Sequence, residues 1–76
     1  MIPLATKDLF PGTKQCYRAD IFGVSVWQLS RWENGRMEIK MSDLKIIYNR
    51  YIEAIESGDC HFPRYEIADF IPDLFL

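Results

Sequence analysis

Residues 13–35 read TKQCYRADIFGVSVWQLSRWENG, and two positions inside this stretch decide the fold. Gly23 interrupts a run that is otherwise compatible with helix, and Ser25 follows it with only Val24 between. Glycine tolerates the left-handed backbone that closes a helix, and a serine side chain can cap the first free N–H groups of the next one. The spacing predicts a helix over 14–22 with Thr13 as its N-cap, a tight turn at Gly23, and a second helix over 26–34 stopped by Gly35. Helices hinged this tightly must cross closely, and Ala19, four residues before Gly23, is small enough for the crossing. The second helix then buries Val24, Leu29 and Trp32 and turns Ser25, Trp27, Gln28 and Arg31 outward.

Downstream, residues 36–41 read as a loop and Ser42 as the cap of a long helix over 43–57, with Asp43 in its first turn to suit the helix dipole. Leu44, Ile47, Tyr48, Tyr51, Ile52 and Ile55 recur at helical spacing and form an apolar stripe, which Gly58-Asp59 ends. Upstream, residues 1–12 are an extended lead-in with one helical turn over 6–10, broken by Pro11-Gly12. Pro63 and Pro72 bound a segment, 64–71, that reads as a short helix with Ile67, Phe70 and Ile71 on one side, or as a strand. The organisation expected is a lead-in over 1–12, a helical domain over 13–57 and an apolar tail over 58–76.

Composition narrows the function. At 76 residues there is room for one domain with a thin core, and 49% hydrophobic residues are too many for a disordered chain. The apolar runs are short, so no membrane span is expected. Met1-Ile2-Pro3-Leu4 has neither the basic nor the long apolar part of a secretory signal, so a cytoplasmic location is expected. Cys16 and Cys60 read as free thiols, and Cys60-His61 lacks the further ligands of a metal site. No nucleophile–base–acid set and no phosphate-cradling glycine loop appears, so neither an enzyme nor a cofactor is expected. Asp69 and Asp73 read as a solvated face. The net charge is −2, but it is polarised: residues 13–40 carry a balance of +2 and residues 41–76 a balance of −4. One face can approach phosphate while the rest is repelled.

The pattern Gln15-x-x-x-Ala19-x-x-x-Gly23-Val24-Ser25-x-x-x-Leu29-Ser30-Arg31-Trp32-Glu33-Asn34-Gly35 resembles the Cro/C1-type (Xre-like) helix-turn-helix of phage and bacterial repressors, over about residues 13–57. The resemblance implies an all-α, lambda-repressor-like bundle that binds operator DNA, usually as a dimer. It implies a sequence-specific, repressor-like transcriptional regulator encoded by a phage, prophage or mobile element. It also implies contacts. Ser25, Val26, Trp27, Gln28 and Arg31 match the base-reading edge of the recognition helix. Gln15 matches a phosphate contact, and Asn34 and Arg36 match the helix end and loop where backbone contacts are common; Lys14 and Lys40 are further phosphate candidates or simply solvated lysines.

The chain departs from the family pattern in several places. Only 12 residues precede Thr13, the loop after Gly35 is short, and residues 60–76 match nothing in the family. Arg18 replaces the usual apolar residue, and its stem is expected to cover the core while its head reaches solvent. Trp27 stands where a polar reader is usual, and thymine-methyl contact, a protein interface and partial burial all remain open for it. Arg31 is either a DNA reader or the partner of a nearby acid. Ile67, Phe70, Ile71, Leu74, Phe75 and Leu76 must pack on the bundle or pair with a second chain, and a homodimer built on this part is expected. The competing reading is a protein-binding module with the same fold, such as an anti-repressor or an antitoxin-like partner.

Overall fold

A computed structural model of the protein describes residues 3–72. Among them every regular element is a helix: α1 (Thr6–Leu9), α2 (Gln15–Phe22), α3 (Val26–Glu33), α4 (Met41–Glu56) and α5 (Ile67–Phe70). The chain is a small all-α helix-turn-helix bundle.

The hinge forms where the sequence places it. Gly23 closes α2 with φ 69° and ψ 32°, and its N–H and that of Val24 return to the last turn of the helix. A side chain is strained in this left-handed region, which is why glycine stands here. Ser25 is extended and its Oγ accepts the Gln28 N–H at 3.1 Å, capping α3. Gly35, at φ 70°, takes the chain out of α3. Ala19, Leu29 and Trp32 are buried where α2 meets α3, and Val24 is half-buried beside them. Along α4, Leu44, Ile47 and Tyr51 are fully buried, while Tyr48, Ile52 and Ile55 pack at the edge of the core.

Two caps differ from the sequence reading. The N-cap of α2 is Lys14 rather than Thr13, and that of α4 is Lys40 rather than Ser42; neither uses its side chain. Thr13 is occupied elsewhere: its hydroxyl donates to the Phe10 carbonyl at 2.5 Å and accepts from Arg18 at 3.0 Å. Ser42 lies within the first turn of α4, because the backbone turns helical directly after the extended Lys40.

The lead-in and the tail both enter the core. Leu4 and Phe10 from the first, and Cys60, Phe70 and Ile71 from the second, are buried with the helices of residues 13–57. Phe10 sits at the centre of an aromatic cluster, edge-on to Phe22, Tyr51, Phe62 and Tyr65 with centroid separations of 4.7 to 6.0 Å. Hydrogen bonds fasten both segments. Leu4 N–H donates to the Trp32 carbonyl at 2.9 Å and Ala5 N–H to the Phe70 carbonyl at 2.7 Å. Tyr65 Oη donates to the Leu9 carbonyl, Tyr48 Oη donates to the Tyr65 carbonyl, and Tyr51 Oη both donates to the Pro63 carbonyl and accepts the Tyr65 N–H.

The tail segment is a short helix, not a strand. Asp69 is more than part of a solvated face: with Glu66 it makes a capping box, accepting the Glu66 N–H at 2.8 Å. Phe70 and Ile71 go into the protein's own core and Ile67 packs against it. These three therefore do not supply the apolar surface on which a dimer was expected; Asp73, Leu74, Phe75 and Leu76 lie outside the described residues. None of the described helices is long and apolar enough to cross a membrane.

Candidate nucleic-acid interface

The site is built on α3, whose two faces differ sharply. Leu29 and Trp32 anchor the inner face, so the residues opposite them in helical phase look out. Trp27 is 77% accessible and Val26 41%, which removes partial burial as an account of Trp27. Arg31 follows Trp27 by one turn and is exposed on the same face. Among the described residues no carboxylate lies within ion-pairing distance of Arg31, so the acid partner considered for it is not there. Ser25 is exposed and engaged as the cap; Gln28 is half-buried in the first turn.

The phosphate candidates fall into two places. Gln15 Nε2 donates to Glu33 Oε1 at 3.2 Å, which brings the start of α2 to the end of α3, beside the exposed Asn34. Asn34 Nδ2 donates to Ser30 Oγ at 3.2 Å and Arg36 is exposed just beyond. Lys14 precedes Gln15 and is also exposed, so Lys14, Gln15, Asn34 and Arg36 gather around one end of α3. Lys40 is exposed at the start of α4, a different element.

A buried ion pair, which the sequence reading missed, ties the end of α3 back to the middle of α2. Arg18 does not send its head to solvent. It is 4% accessible, and its Nε and Nη2 each meet a Glu33 carboxylate oxygen at 2.8 Å. Its Nη1 donates to the Thr13 carbonyl at 2.8 Å, and Thr6 Oγ1 completes the shell of Glu33 with a 2.7 Å bond to Oε2. Burial by itself would raise the Glu33 pKa, but the hydrogen bonds from Arg18, Thr6 and Gln15 and the Arg18 charge outweigh it and hold the carboxyl below its ordinary value of 4.5. Every buried side-chain polar atom among the described residues has a partner. The signal was present in the sequence: a cation in the otherwise apolar phase of α2 needs a buried anion, and within residues 13–35 only Asp20 and Glu33 are acidic.

The pair also shapes the surface charge. With Arg18 and Glu33 cancelling inside, the exposed charges of residues 13–40 are Lys14, Arg31, Arg36 and Lys40 against Asp20 and Glu38. Away from this face, an open groove of about 590 Å³ between α2 and α4 is lined by Tyr17, Ile21, Arg50 and Glu53 among others, and holds none of the candidate residues. Cys60 is buried in the core, Cys16 is exposed, and no group of three His, Cys, Asp or Glu among the described residues is placed to hold a metal ion. Compared with family models, with curated proteins and with solved structures, the chain matches none, so the case for this face rests on its own geometry.

Proposed function

We propose that this protein is a sequence-specific DNA-binding transcriptional regulator, repressor-like in action, that reads the major groove with α3. The observation that carries the reading is the two-faced α3: its inner side is fixed by Leu29, Trp32 and the Glu33 carboxylate, and its outer side offers Trp27 and an Arg31 that no carboxylate among the described residues pairs with. A helix so presented, at the far side of a glycine hinge, suits insertion between two phosphate rows. Gln28 and Arg31 are the base-reading side chains, with an adenine edge suited to the amide and a guanine edge to the guanidinium. Lys14, Gln15, Asn34 and Arg36 position the protein on phosphates, with Lys40 as a further contact. A second copy would place a second α3 one helical turn along a palindromic site, and a phage or prophage setting accords with the resemblance.

The test is duplex binding across a salt series. Several phosphate contacts make affinity fall steeply with salt. Arg31→Ala is expected to weaken binding and relax preference at one base pair, at about 1–3 kcal/mol for a bidentate contact. Unchanged affinity in both Arg31→Ala and Gln28→Ala would remove α3 from the role. A second reading, a protein-binding module such as an anti-repressor or antitoxin-like partner, draws on the exposed Trp27 and the net charge of −2. Absence of duplex binding at low salt, with a co-purifying partner, would favour it.

A further inference from the structure

Trp27 is the most exposed of the large apolar side chains among the described residues, and Val26 beside it adds a second apolar surface. Holding an indole in water forgoes the free energy of burying it, so the first turn of α3 presents a surface that gains by being covered. What surrounds it narrows the occupant. The exposed charges of residues 13–40 are in cationic excess, and Arg31 lies one turn from Trp27 on the same face. An apolar patch beside a cation, within a basic region, fits a polyanion that also carries apolar groups. The major groove of DNA is such a partner: phosphates flank a floor on which the thymine C5-methyl is the one apolar group among the four bases.

Building on the DNA-binding reading above, we infer that Trp27, with Val26, gives the protein a preference for thymine at the base pairs facing the first turn of α3, and that the preference resides in the 5-methyl group. The indole has one donor, Nε1–H, and no acceptor. It cannot make the paired donor–acceptor contact by which amides and guanidinium groups distinguish bases, so its discrimination lies in contact area.

Deoxyuridine separates these contributions, because it keeps every donor and acceptor of thymidine and lacks only the methyl. The probe is the duplex that the wild-type protein enriches from a random double-stranded library, resynthesised with deoxyuridine replacing thymidine at one position at a time. At the positions facing Trp27 the wild type is expected to lose about fourfold in affinity, the equivalent of ~0.8 kcal/mol for one buried methylene-sized group. Trp27→Ala is expected to lose most of the difference between the thymidine and deoxyuridine duplexes at those positions, and to unfold at the wild-type temperature because the side chain is exposed. A flat deoxyuridine scan on an enriched duplex, or a Trp27→Ala scan identical to the wild type, overturns the inference and leaves DNA binding standing. No duplex binding at any salt overturns both, and a co-purifying protein lost on Trp27→Ala would then assign the face to that protein.

Discussion

The Arg18 guanidinium and the Glu33 carboxylate lie side by side, Nε to Oε2 and Nη2 to Oε1, both at 2.8 Å, and join the middle of α2 to the end of α3 across 15 residues of sequence. The hinge at Gly23 sets where the chain turns; this pair ties the far end of α3 back onto α2. Thr6 and Gln15 add bonds to the same carboxylate, so α1, α2 and α3 converge on one side chain.

Removing that carboxylate is expected to be among the most damaging single changes. Glu33→Ala leaves Arg18 buried without its anion, and breaking a buried pair typically costs about 3–5 kcal/mol. A domain's whole stability is of order 5–15 kcal/mol, so denaturant unfolding should show a large drop in midpoint. The double substitution Arg18→Met with Glu33→Leu is expected to be milder than Glu33→Ala, since it leaves no uncompensated charge. A Glu33→Ala midpoint close to wild type would show that the pair contributes little to holding α2 and α3 together.

The same carboxylate makes stability depend on acid. Its folded pKa lies below the ordinary 4.5, so the folded state favours the ionised form. That contribution is complete above the unfolded value and is lost as pH falls through the folded one. Melting temperature should therefore decline below about pH 4.5 more steeply in the wild type than in Glu33→Gln, which has no proton to take up there. Parallel pH profiles for the two proteins would contradict the assignment.

Phe10 is buried at the centre of the aromatic cluster although it lies in the lead-in. Phe10→Ala is expected to cost about 3–5 kcal/mol, a large share of the stability of a small domain. Tyr65→Phe removes only the bond to the Leu9 carbonyl and should cost about 0.5–1.5 kcal/mol. Circular dichroism melts would rank the two; a Phe10→Ala protein as stable as Tyr65→Phe would place the centre of the core elsewhere.

Gly23→Ala tests the hinge. Its φ of 69° is costly for an L-side chain, and the added Cβ would meet Arg50 Nε at 3.4 Å, the movable end of a flexible side chain. The backbone strain should dominate, at about 1–2 kcal/mol. A stability gain in denaturant titration, as expected when alanine replaces glycine in ordinary helix, would mean that the left-handed turn is not retained.

The parts legible in the sequence were those governed by local chemistry. Gly23 and Ser25 each act through their own backbone or the next turn, and Leu29, Trp32, Leu44, Ile47 and Tyr51 follow helical period, so their environments follow from neighbours a few residues away. The parts misread depend on partners far along the chain. Arg18 looked like a snorkelling side chain until Glu33 came within reach. Thr13 has the side chain of a cap, but Arg18 and the Phe10 carbonyl claim its hydroxyl. Phe10 lies before a Pro-Gly break, a place where local rules give an apolar residue no partner, and Tyr51, Phe62 and Tyr65 supply it from the other end of the sequence. At the candidate interface, helical phase already turns Trp27 and Arg31 outward; what it leaves open, partial burial of Trp27 and an acid partner for Arg31, depends on neighbours distant in sequence.

The bond from Tyr65 to Leu9 spans 56 positions, and the earliest large core side chains wait on some of the latest. On a ribosome, which releases the amino end first, residues 13–35 emerge before Phe62, Tyr65 and Phe70 can cover Phe10 and Phe22, and helices of eight residues are marginal without that cover. Until then the nascent chain carries an uncovered aromatic surface. Cut out with its hinge alone, α3 would remain in that unfinished condition, so transplanting the α2–α3 unit into another protein requires the whole bundle to travel with it.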